Sequence, residues 1–304
     1  MNDPTVVLYD VQDPFHPQAI CTLSNAGHIR FISGTEISYA DLSGSSPSIV
    51  RLSFGPSGSP RPVVTGPGLA GPFSPFAWSP DGMTLSYLVD TGSSLQLWLK
   101  SGVGDAKPIG APAACAGHGI GPGDEVTLKV SSTGTYLALV DTICQGQSLQ
   151  VWHLPDGVLA YGEAGANLAV WDPVADRLWY HDAQGIKQWT PGSTRIVAAG
   201  LDWFDPAASP DGQHVAYTLI DPSTGAPHVE IRDAGGHVQV LSQPNRSWPL
   251  YVSTQTLWYY AEQPCTGLCP ARLVPPSSTV LAYDIASGRE AALPFGTVFD
   301  VWPR

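Results

Sequence analysis

Basic residues are scarce in this sequence. Lysine occurs four times and arginine ten times in 304 positions, against 26 aspartates and glutamates, and charged residues of all kinds make up only 13% of the chain. The balance of −12 thus reflects a shortage of cations rather than an acidic run, and it argues against nucleic acid as a partner, because that polyanion needs a basic face. No stretch of about 18 apolar residues exists, so no segment is suited to cross a membrane as a helix. The opening MNDPTVVLYD lacks the basic and apolar regions of a secretion signal. A bare Met-Asn-Asp two residues before a strand reads as a cut boundary, which leaves room for a targeting or anchoring segment outside this stretch.

Catalytic signatures are missing too. Eight histidines, at 16, 28, 118, 153, 181, 214, 228 and 237, form no HxH or HExxH spacing. There is no GxSxG nucleophile elbow. Glycine-rich segments such as GPSGSP and GPGLAGP lack the strand-loop-helix context and the lysine of a phosphate-binding loop. No catalytic residue, cofactor or metal is expected from these patterns. No segment carries a convincing helical stripe.

What the chain has is turns and strands. Glycine (32) and proline (29) are spread between apolar runs, and 43% of residues are hydrophobic, enough for a sizeable core. The stretch FAWSPDGMTLSYLVD at Phe76–Asp90 returns in shortened form as AASPDGQHVAYTLID at Ala207–Asp221. Weaker copies of the turn stand at Ser33–Thr35, Ser131–Gly134, Asp172–Asp176 and Ser253–Thr256, giving a period of roughly 37 to 52 residues. Each unit runs in the same order: an apolar strand, a tight turn, a strand with Tyr or Trp, a loop, and two further short strands. A four-stranded antiparallel unit at this period is the mark of an all-β protein of the β-propeller class.

SPDG between apolar strands, followed by LSYLVD or VAYTLI, resembles the propeller repeat of the TolB-like family over essentially the whole chain. That resemblance implies the fold and says little about function. Some such propellers are polysaccharide lyases with metal-holding histidines on successive blades, and no histidine set here matches that pattern. Propeller-bearing prolyl peptidases keep their catalytic residues on a separate domain, so likeness to them transfers none. Within SPDG, proline presets φ, the aspartate caps backbone N–H groups and glycine takes a left-handed position, so Asp81 and Asp211 read as structural.

The units delimit one domain, 1–304, with blades at about 27–66, 72–110, 124–163, 166–200, 203–243 and 247–295. VFDVWPR resembles a first strand, and the N-terminal strands resemble later ones. A seventh, composite closing blade from 297–304 plus 5–24 is therefore expected, with six blades as the alternative.

The five cysteines sharpen this picture. Cys115, before the third unit, and Cys144, in its second-to-third-strand loop, fall on one face and are expected to pair. Cys265 and Cys269 can close a loop of their own, leaving Cys21 over. Two disulfides place the domain in an oxidising, extracytoplasmic compartment; free thiols or a metal site are the competing readings.

Trp78, Trp171 and Trp302 on first strands, and Tyr87, Tyr180, Tyr217 and Tyr259 on second strands, recur as inter-blade core. Phe73, Phe76, His118, Trp203, Phe204, Asp205 and Trp248 fall in or beside loops at the face holding the cysteines, with Asp124, Asp141 and Asp221 adding acidic groups. They are the candidate ligand-binding residues at the mouth of the channel. The expected function is a non-catalytic binding or sensor propeller engaging a protein, peptide or glycan. The alternative is a propeller enzyme, a lyase or hydrolase acting on polysaccharide.

Overall fold

The computed structural model describes residues 5–54, 58–66, 69, 75–92, 94–110, 126–141, 148–201, 203–233, 235–241, 243–261 and 279–295. Among them every regular element is a strand. β1 (Thr5–Asp10) and β2 (Gln18–Ser24) form a two-stranded sheet. Six four-stranded antiparallel meanders follow in chain order. The first comprises β3 (Ala26–Ser33), β4 (Glu36–Asp41), β5 (Ser48–Ser53) and β6 (Arg61–Thr65); the second, β7 (Phe76–Trp78), β8 (Thr84–Asp90), β9 (Leu95–Ser101) and β10 (Lys107–Gly110). The third is β11 (Val126–Val130), β12 (Tyr136–Asp141), β13 (Ser148–His153) and β14 (Val158–Ala164); the fourth, β15 (Asn167–Trp171), β16 (Leu178–Asp182), β17 (Gly185–Thr190) and β18 (Ser193–Ala199). The fifth contains β19 (Phe204–Ala208), β20 (His214–Ile220), β21 (Pro227–Asp233) and β22 (Val238–Val240); the sixth, β23 (Arg246–Ser253), β24 (Thr256–Ala261), β25 (Thr279–Asp284) and β26 (Glu290–Ala292).

Short strands leave each sheet with two apolar faces to cover, and the faces cover one another. The first strands of successive sheets touch in sequence, β3 with β7, then β11, β15, β19 and β23, so they form the innermost layer of a radial stack. Apolar clusters fill the gaps between neighbours. Phe76, Leu85 and Tyr87 pack against Ala40 and Ile49 between the first two sheets, and Trp171, Tyr180 and Trp189 against Ala138 and Val151 between the third and fourth. The β1–β2 sheet packs between the first and the sixth sheets. Leu8, with Val6, Cys21 and Leu23, packs on Ile29, Ile37 and Val50 of the first sheet. On the other side Val11 and Phe15 of its connecting turn meet Trp258, Val280 and Leu293 of the sixth. The Trp258 indole N–H donates to Pro14 O (3.0 Å), and the Arg289 guanidinium lies 4.5 Å from the centre of the Phe15 ring. The expected inner strand at 297–304 lies outside the described residues, as does Trp302.

The SPDG turns are backbone devices. At Ser79, the side-chain hydroxyl donates to Asp81 Oδ1 (2.5 Å) and accepts from Thr84 N–H (2.8 Å), while Asp81 Oδ1 accepts from Met83 N–H (2.9 Å). Gly82 takes φ +66°. Ser209, Asp211, His214 and Gly212 repeat the arrangement, with Gly212 at φ +67°. Each turn also locks onto the preceding sheet. Arg51, paired with Glu36, donates to Gly82 O (2.7 Å), and Arg177, paired with Asp172, donates to Gly212 O (3.0 Å).

Candidate functional site

At four of the six first strands the ladder breaks at the same place. Two residues face one across the pairing at His28-Ile29 on β3, Leu168-Ala169 on β15, Asp205-Pro206 on β19 and Trp248-Pro249 on β23. These are β-bulges, and the leading residue of each is left-handed without being glycine: φ is +45° at His28, +50° at Leu168, +50° at Asp205 and +56° at Trp248. That conformation costs an L-residue roughly 1–2 kcal/mol. Asp205 and Trp248 also precede proline, which further disfavours a helical-type ψ. Such strain persists only where surrounding packing fixes it, and bulges gather where a strand must re-aim a side chain.

The packing that fixes it is visible. The residue opposite each bulge is the recurrent second-strand tyrosine: Tyr39, Tyr180, Tyr217 or Tyr259, all buried. Three of them end on carboxylates, Tyr180 donating to Glu163 (3.1 Å), Tyr217 to Glu230 (3.0 Å) and Tyr259 to Glu290. Burial pushes these phenols up, Tyr217 to about 12, so they remain neutral donors at physiological pH. Where β11 and β12 pair without a bulge, Leu139 stands in the tyrosine's place.

Two cavities open at these bulges, and Asp205 and Pro206 line both. The larger, about 210 Å³, is walled by Trp248, Pro249, Trp258 and Tyr260 beside Asp205 and Pro206. The smaller, about 140 Å³, is lined by Thr127, Lys129, Asn167 and Leu168 among others. Neighbouring sheets are clasped here: Lys129 Nζ donates to Ala169 O (3.0 Å), the Trp171 indole donates to Lys129 O (2.7 Å), and Trp248 N–H donates to Thr218 Oγ1 (2.9 Å). His28 makes the same kind of link, its Nε2 accepting from Phe76 N–H (3.3 Å). Burial, with Arg30 nearby, lowers the imidazole to about 3 and keeps that ring nitrogen unprotonated as an acceptor. The bulges lie at the starts of the first strands, the end opposite the SPDG turns. Chemically, the arrangement is a preorganised aromatic and proline wall with one carboxylate and, next door, one ammonium. It suits binding of a small, partly apolar group.

The residues expected at the mouth divide. Asp205 and Trp248 both line the larger cavity, and Phe204, half-buried, precedes Asp205 on β19. Phe76 and Trp203 are fully buried in packing between sheets, and the Trp203 indole N–H has no acceptor among the described residues. Asp221 caps a turn, accepting from Ser223 N–H (2.7 Å), and Asp141 is buried on β12. Phe73, His118, Asp124, Cys115, Cys144, Cys265 and Cys269 lie outside the described residues. Cys21 is half-buried on β2 with its thiol raised by burial. Pro206, Pro249, Leu168, Trp258, Tyr260 and Lys129 were not anticipated. Their signal was there in Asp205-Pro206 and Trp248-Pro249, since proline inside an apparent strand points to a bulge.

No protein-family model and no curated protein matches the sequence. Solved structures do. TolB from Acinetobacter baumannii aligns with TM-score 0.53 and 13% identity over 96% of this chain and 60% of that one. The β-propeller domain of the Trilobed protease from Pyrococcus furiosus aligns at 0.63 and 11%, over 89% and 83% of the two chains. Oligogalacturonate lyase from Vibrio parahaemolyticus gives 0.62 and 11%, over 96% and 85%. At such identities the likeness is one of architecture, and the chain spans about three-fifths of the TolB structure's length. The chain therefore has the TolB-like β-propeller fold.

Proposed function

We propose that this propeller is a non-catalytic binding module that engages a protein, peptide or glycan at the bulged mouth of its channel, in an extracytoplasmic setting. The observation that carries this reading is the pair of cavities joined by Asp205-Pro206, framed by strained bulges that the tyrosines behind them hold in place. Aromatic anchors around one or two charges are the chemistry of recognition. Pairing of Cys115 with Cys144 and of Cys265 with Cys269 belongs to the same reading, with the composite seventh blade as its architectural part. An enzyme acting on polysaccharide is the second reading, favoured by the close architectural match to an oligogalacturonate lyase.

The test is selection from a displayed random-peptide library and a glycan array, with the Asp205→Asn/Trp248→Ala double variant as counter-selection. Binders that require the wild-type mouth support the module. Binders indifferent to the double variant would move the site elsewhere, and release of oligosaccharide products from a polysaccharide panel would make the protein an enzyme. Intact mass before and after reduction, with thiol alkylation, checks the compartment: four protected cysteines are expected, and five reactive ones would remove that part of the proposal.

A further inference from the structure

Behind the left-handed bulge at Trp248 stands a charge pair that reaches across the whole sheet. We infer that Glu290 is a positioning residue for the mouth: acting through Arg246 and Tyr259, it sets the bulge that carries Trp248. The inference deepens the binding-module reading above and rests on it for the use to which the mouth is put. Glu290 stands on β26, the fourth strand of its sheet, and Trp248 on β23, the first. A continuous set of bonds joins them. Arg246 Nε donates to Glu290 Oε1 (3.1 Å) and Arg246 Nη2 to Glu290 Oε2 (2.9 Å), a fork that fixes direction as well as distance. The hydroxyl of Tyr259, the residue facing the Trp248-Pro249 bulge, donates to the same Oε1.

Arg246 grips the entry to the strand as well, its Nη1 donating to the carbonyls of Pro244 (3.3 Å) and Asn245 (3.5 Å). Asn245 is left-handed at φ +59° and Trp248 at +56°, so the anchored arginine separates the two left-handed positions through which β23 begins. The side chains of Arg246 and Glu290 are mostly buried, with Val229 and Ile231 of the fifth sheet packed on Tyr259 and Tyr283. Burial alone would raise the Glu290 carboxyl, but Arg246 and Tyr259 outweigh it and hold it below its ordinary value. Other sheets repeat the association of bulge and carboxylate. Tyr180 and Tyr217, also opposite bulges, end on Glu163 and Glu230, with Lys187 on Glu163 (3.1 Å) and Arg232 on the Tyr217 hydroxyl (3.0 Å). Tyr87, which faces Phe76 across an unbulged pair, ends on no carboxylate among the described residues. At Trp248 the cation comes from the bulged strand itself, which gives Glu290 the most direct hold of the three.

The experiment records ¹⁵N-labelled tryptophan indoles by NMR in the full chain, with no binder added, in wild type, Glu290→Gln, Arg246→Lys and a control, Glu36→Gln. The control breaks a similarly sheltered arginine–glutamate pair at the SPDG end, where Arg51 lies 4.6 Å from the centre of the Trp78 ring. Glu290→Gln should shift the Trp248 signal and leave Trp78 in place, and Glu36→Gln should do the reverse. Arg246→Lys keeps the charge but loses the fork, so it should move Trp248 too, and it decides the matter if Glu290→Gln fails to fold. A Trp248 signal that neither mouth variant moves would overturn the inference. So would one that moves as far in Glu36→Gln, since that marks a general loosening rather than positioning. Because no binder is present, this result stands apart from the library selection, which decides separately whether the module reading holds.

Discussion

Gly82 and Gly212 show how much of the fold rests on single backbone positions. A Cβ at Gly82 would stand 2.8 Å from Ile32 Cγ2, and one at Gly212 2.4 Å from Asp172 Oδ1, whereas one at Gly92 would meet nothing within 4 Å although φ there is +78°. Alanine at Gly92 should therefore cost only the left-handed strain, about 1 kcal/mol. At Gly82 and Gly212 it should cost roughly 3 kcal/mol, because the inter-sheet lock must also give way. Urea melts of the three variants test this order, and equal losses would mean that the locks to the preceding sheets carry no stability. The neighbouring aspartates predict a pH dependence. Hydrogen bonds from the Ser79 and Ser209 hydroxyls, helped by turn N–H groups, hold Asp81 and Asp211 below the ordinary carboxylate value of 3.8. With the folded value depressed, their stabilisation is fully present above the unfolded pKa and disappears as pH falls through the folded one. The Asp81→Asn/Asp211→Asn variant should accordingly show a shallower loss of stability below about pH 4 than wild type. Identical acid limbs would show that neither aspartate matters there.

The bulges make the strongest statement at the level of elements. Replacing Asp205 by glycine or by alanine removes the same side-chain chemistry, so the two variants differ chiefly in tolerance of φ +50°. The glycine variant should be the more stable by about 1 kcal/mol, the reverse of the order at a regular strand position. Thermal unfolding decides, and an alanine variant at least as stable would mean that the bulge relaxes. The same elements explain what was legible in the sequence. The propeller could be read because its turn chemistry is local: Ser79, Asp81 and Gly82 do their work within a few residues. The tyrosines at 180, 217 and 259 could be read because inter-sheet packing repeats with the units. The bulges could not, because left-handed Leu168 and Trp248 run against local preference, and a lone histidine such as His28 carries no signal of its own for that conformation. One inserted residue also reverses which side chains face inward, so alternation alone could not separate Trp203, which is core, from Trp248, which lines the cavity. A second prediction belongs to β1 and β2. A two-stranded sheet is marginal by itself, so its stability must come from the sheets on either side. Leu8→Ala should cost about 2–5 kcal/mol and lower the single unfolding transition of the whole ring. A separate early transition confined to the hairpin would show instead that it is an appendage.

For the molecule as a whole, the two ends of the first strands divide the labour. The SPDG end is occupied with locking sheet to sheet, through Arg51 to Gly82 and Arg177 to Gly212. The opposite end holds the strained bulges and both cavities. Tryptophans mark each end, Trp78 and Trp171 beside the turns and Trp248 at the mouth, which makes the central claim directly measurable. The protein carries ten tryptophans, so labelling with 5-fluorotryptophan places a fluorine reporter at each, assignable by single Trp→Phe variants. Titration with a binder selected from the peptide library or glycan array should move the Trp248 resonance first and furthest, and leave Trp78 and Trp171 where they were. A binder that shifts Trp78 or Trp171 and leaves Trp248 unmoved would place recognition on the SPDG face and contradict the account.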